Sequence, residues 1–186
     1  MEDSIHKRGH ALEAAFFQHV DQILIENLRK EMEDDDNEKA LAHASGIDSH
    51  DTIKALVAVG VNGETLTSLG LVPLIHVAWA DGVIQPEEKK AILKAAHENG
   101  IAESSSAYAL LNSWMATKPE KNLITAWAEY IHEIKGKLDS TAFEQMKTSI
   151  LKRAELVAEA AGGFLGLATV SETEKKAMAF LRDSLA

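Results

Sequence analysis

Between Leu66 and Ala80 the chain is apolar almost all the way round a helical projection, interrupted mainly by Pro73 and His76. A helix that is apolar on every side has to be enclosed by other elements. The run is too short to span a bilayer. It therefore predicts the central helix of a bundle, over about residues 64–81, kinked at Pro73 where one backbone hydrogen bond is lost. The chain then breaks at Asp81-Gly82 and restarts at Pro86, a residue suited to the first turn of a helix. With 186 residues there is enough chain to wrap such a helix within one core.

The other segments also follow the helical period, and none shows the alternation of a half-buried strand. Leu12, Phe16, His19, Val20, Ile23 and Leu28 predict a first amphipathic helix over about 9–33. The acidic run Glu33-Asp34-Asp35-Asp36 is expected as a solvated loop, with a second helix over about 37–45. Asp48 or Ser49 is placed to cap a third helix ending near Gly60, and Asn62-Gly63 signals a turn. After the corner, a fifth helix is expected from Pro86 to about Asn99, stopped by Gly100. A sixth covers about 104–117, with Tyr108, Leu111 and Met115 on one side, and Lys118-Pro119 ends it. Leu123, Trp127, Ile131, Ile134 and Leu138 mark a seventh; Phe143, Met146, Ile150, Ala154, Val157 and Ala161 mark an eighth. Gly162-Gly163-Phe164-Leu165-Gly166 leads to a last helix over about 171–185. Trp79, Trp114 and Trp127 fall at apolar positions and are expected to pack inside. The expected fold is all-α: one bundle of eight or nine helices. Residues 1–60 form a helical extension packed on a core domain of 61–186, because the stripe on the first helix is costly to expose.

Charge and composition narrow the function. A formal net charge of −10 offers no counterion release on DNA or RNA, so nucleic acid is not an expected partner; basic proteins and cations suit the chain better. The absence of cysteine excludes disulfides and thiolate metal sites, and accords with a reducing cytoplasm. No charged n-region leads into an apolar h-region, and no membrane span is expected. There is no Gly-x-Ser-x-Gly elbow. The glycine loop after residue 162 follows a helix and lacks the Lys-Ser/Thr of a phosphate loop. No reaction follows from these residues, so neither an enzyme nor an organic cofactor is expected.

A short repeat singles out the acids. Glu88-Lys89-Lys90-Ala91-Ile92-Leu93 resembles Glu174-Lys175-Lys176-Ala177-Met178-Ala179. Each follows a small-residue helix end, Ala78-Trp79-Ala80-Asp81-Gly82 in one copy and Ala158-Glu159-Ala160-Ala161-Gly162 in the other. A helix, a glycine corner and a second helix thus occur twice in one bundle. An acid in the last turn of a helix faces the negative end of the macrodipole, so Asp81 calls for a nearby cation or local donors. Glu88 and Glu174 stand at third helical positions, and Glu174 follows Ser171 by the spacing of a capping box. Two roles remain open for these acids: helix caps, or oxygen ligands. A calcium loop of the EF-hand kind is excluded, because its two leading ligand positions fall on Val77 and Trp79.

Ala80-Asp81-Gly82 followed by Pro86-Glu87-Glu88 resembles the tellurite-resistance TerB-like domain, a family of small bacterial all-helical proteins with two related halves. The likeness covers about 69–100 and, more faintly, about 147–185. It implies a divalent cation held between acidic corners, by Asp81 and Glu88 from the first copy and Glu174 from the second. Ala161 stands where the second corner should carry an acid, and Glu159, half a turn upstream, is the substitute. Hard oxygen ligands suit Ca²⁺, Mg²⁺ or Mn²⁺. The resemblance implies a cytoplasmic stress-response or scaffolding module with protein partners. The alternatives are a metal-free interaction bundle in which the acids are caps, and a metal-dependent hydrolase using the same acids. The hydrolase ranks last, because no second histidine joins His76 in a ligand motif.

Overall fold

The structure, a computed structural model, describes residues 26, 29–30, 32–162 and 170–186. Every regular element among them is helical, as the periodicity predicts. The helix expected over 9–33 lies almost wholly outside the described residues, and so does most of the glycine loop after residue 162.

Helix α1 runs through 32–45 and includes the acidic run. The run is therefore helix rather than loop. Successive side chains of a helix diverge around its axis, so the four acids spread apart, three of them exposed. Lys39 stands one turn from Asp35, with 4.0 Å between amine and carboxylate. Helix α2, His50–Ala58, is capped by Ser49, whose Oγ accepts from the Thr52 amide. Gly60, at φ +87°, lets the chain turn away after it.

The single helix expected over 64–81 is two pieces: a 3-10 stretch, Leu66–Leu71, and helix α3, Val72–Ala78. Pro73 sits in the first turn of α3 rather than kinking a longer helix. Its missing N–H leaves no bond unmade there, while the tighter 3-10 stretch absorbs the break before it. All of α3 except His76 is buried. It is enclosed by α4 (Pro86–Glu98), α6 (Lys121–Lys135), α7 (Ser140–Gly162) and α8 (Glu172–Ser184). Helix α5, Ser106–Ala116, covers the 3-10 stretch, α2 packs on α6, and α4 lies along α7.

Trp127 and Trp114 are core residues, and Trp79 is packed against the core. Leu41, Ile47, Ile53 and Leu56 belong to the same buried cluster as Leu74 and Trp127. Leu138 departs from expectation: α6 ends at Lys135, and Leu138 is exposed. Among the described residues no helix is long and apolar enough to cross a membrane.

The enclosure of α3 has a measurable consequence. Leu74→Ala, at a fully buried site, is expected to cost about 2–5 kcal/mol in urea unfolding. Leu138→Ala should change stability by about 0.5 kcal/mol or less. Equal losses at the two positions would contradict a core centred on α3.

Candidate functional site

The first corner begins where α3 stops. Ala78 is the last helical residue and Trp79 the C-cap, so Asp81 lies beyond the helix rather than in its last turn. Asp81 is exposed, and its Oδ1 accepts the Val83 amide at 3.1 Å. Gly82 follows at φ +97°, with open space where a Cβ would stand; the backbone conformation alone calls for glycine. The cation that serves the end of α3 is Lys118, whose Nζ donates to the Trp79 carbonyl at 2.8 Å. The Trp79 indole N–H donates to the Trp114 carbonyl at 2.8 Å, which fastens this end of α3 to α5.

Glu88 and Glu174 occupy matching positions at the starts of α4 and α8. Glu88 is 2% exposed, and its Oε2 accepts the Gln85 amide at 2.7 Å. Glu174 is 5% exposed, and its Oε2 accepts the Ser171 amide at 2.5 Å. Ser171 Oγ accepts the Glu174 amide in return, at 3.1 Å. Buried carboxylates need such donors, and helix starts supply them.

The two halves also meet electrostatically. Burial pushes the Glu88 pKa up to about 7; the Gln85 amide opposes this, while the charges of Asp81 and Glu174 reinforce it. Asp81, Glu88 and Glu174 therefore share one region of the molecule. Glu159 is exposed on α7. The donor chemistry suits a hard cation. Each of the three acids, however, already gives an oxygen to a backbone amide. No three His, Asp or Glu side chains among the described residues are grouped as a ligand set.

Sequence reasoning missed a second feature beside the corners. A groove of about 570 Å³ lies between α3, the start of α6 and α8. Ile75, Trp79, Leu123, Ile124 and Phe180 give it apolar walls, and Lys118, Lys121 and Lys176 line it together with Glu120. His76 stands in the wall, its ring centroid 5.5 Å from that of Phe180. Burial, and then the Lys118 charge, hold the His76 pKa below its ordinary value, so the imidazole is neutral at pH 7. His97, by contrast, is exposed on α4.

No family model, curated protein or solved structure matches the chain.

The raised Glu88 pKa fixes the sign of a pH effect. An acid whose folded pKa lies above its unfolded value is destabilising once ionised. Its contribution is absent below about pH 4.5 and fully unfavourable above about 7. Glu88→Gln keeps an acceptor for the Gln85 amide and removes the charge. The variant should be more stable than wild type at pH 8, by roughly 3 kcal/mol at most, and the gain should vanish below pH 4.5. Urea unfolding at both pH values measures this; a variant weaker than wild type at pH 8 would refute the buried-charge assignment.

Proposed function

We propose that this chain is a TerB-like helical binding module that meets protein partners, with the corner acids holding its helix ends in shape. The cytoplasmic stress-response role implied by the family resemblance belongs to the same proposal. One observation carries the reading: Asp81, Glu88 and Glu174 each accept a backbone amide close in sequence. The positive charge at the end of α3 comes from the chain itself, through Lys118 on the Trp79 carbonyl. Acids used this way give rigid helix–corner–helix units, and rigid units present a fixed surface at little ordering cost.

A second reading has its own support. Glu88 is raised toward neutrality by burial and by two neighbouring carboxylates. A buried acid that also feels neighbouring acidic charge is what a divalent cation would neutralise. In that reading Asp81, Glu88 and Glu174 hold Ca²⁺, Mg²⁺ or Mn²⁺, and the ion supplies charge compensation that ties the two corners together.

Thermal and urea unfolding of wild type and Asp81→Ala separates the two. If Asp81 serves the Val83 amide alone, the variant loses about 0.5–2 kcal/mol, and the loss is the same in EDTA and in millimolar Ca²⁺, Mg²⁺ or Mn²⁺. A loss that opens only when the cation is present overturns the capping reading and establishes the other, because a ligand of the folded state stabilises it by mass action.

A further inference from the structure

We infer that the groove between α3, α6 and α8 is a binding site for a small amphipathic carboxylate, with its apolar tail against the groove walls and its anionic head among the lysines. Size is the first argument. At about 570 Å³, the groove falls within the range of small-molecule sites, roughly 300–1,000 Å³. Its walls are those of such sites: aliphatic side chains from α3 and α6, the Trp79 indole, and the Phe180 ring, which is 39% exposed.

Charge selects the class of ligand. The chain carries a net charge of −10, yet three lysines and a single acid, Glu120, line this groove. Among the described residues none of the three lysines forms an ion pair. Lys118 is held in place by the Trp79 carbonyl, with donors left over, since an ammonium has three. Lys121 and Lys176 reach the same groove from α6 and α8. Lys176 also acts on the exposed Glu172, but three lysines against the one acid that lines the groove make a local attraction for anions.

Extent argues for a small occupant over a protein segment. A stable protein interface buries about 1,200–2,000 Å². Of the large apolar side chains exposed among the described residues, Met32, Val83, Leu138, Leu156 and Phe180, only Phe180 lines the groove. Phe180 alone among them adds to the apolar surface of the groove.

Calorimetry and tryptophan fluorescence on the full chain test the proposal, using octanoate, octan-1-ol and octylammonium as probes of equal tail and different head. Octanoate should bind saturably at one site, at least about tenfold tighter than octylammonium, since close opposite charges set the preference. The double variant Lys121→Gln/Lys176→Gln, at two exposed positions, should abolish that preference and leave octan-1-ol binding unchanged. Phe180→Ala should weaken all three probes. No saturable octanoate binding at millimolar concentration would overturn the proposal. So would equal binding of octanoate and octylammonium, or a preference that survives loss of both lysines. Binding of an acidic amphipathic peptide by a protein that ignores octanoate would overturn it in favour of a protein partner.

Discussion

Helix α3 has almost no solvent face, and the arrangement of the other helices follows from that. Six of its seven residues are buried, so it needs neighbours all round, and α4, α6, α7 and α8 supply them. Both of its ends must then be finished in crowded surroundings. On the N-terminal side the 3-10 stretch turns the chain in, and the buried Ser68 hydroxyl donates to the Thr65 carbonyl at 2.6 Å. On the C-terminal side the Trp79 carbonyl accepts from the Gly82 amide at 3.1 Å, and Lys118 adds a charged donor at 2.8 Å. A cation on the last carbonyls of a helix complements the negative end of its dipole.

Placing glutamates at the starts of α4 and α8 follows the same logic. The first turn of a helix leaves amides without intrahelical acceptors. Pro86 removes one of these in α4, and Glu88 reaches back to the Gln85 amide. In α8 Ser171 and Glu174 serve each other's amides. Each glutamate alone is a favourable cap near a positive dipole end. Packing the two halves buries Glu88, and that burial, reinforced by the charges of Asp81 and Glu174, raises its proton affinity. Local optimisation of each cap and global packing of the two halves pull in opposite directions here.

Features governed by local rules could be read from the sequence. The caps at Ser49 and Ser171, the start at Pro86 and the stop at Gly100 each depend on neighbours a few residues away. The third-position glutamates were legible for the same reason. The helical state of Glu33–Asp36 was not, because solvation of four acids on a helix is as good as in a loop. The end of α3 before Asp81 was obscured by an apolar pattern that continues through Ala80. Which face of α7 turns outward is decided by packing, and that face carries Glu159. The groove was invisible, since it joins residues of 72–80, 118–124 and 173–180. No local rule brings those segments together.

The corner and the groove share their boundary. Trp79 and Ala80 line the groove while Asp81 begins the acidic side, and Thr173 lines the groove beside Glu174. Lys118 belongs to both. Its ammonium sits on the Trp79 carbonyl, and its charge acts on His76 inside the groove. An anion in the groove, on the proposal above, would meet Lys118 where it sits on that carbonyl. If it draws the ammonium away, the end of α3 loses its cation and the corner carrying Asp81 is weakened. If Lys118 serves both at once, the anion and the corner reinforce each other through it. In either case occupancy of the groove and the stability of the corner are linked, and the linkage is reciprocal because it is a difference of binding free energies.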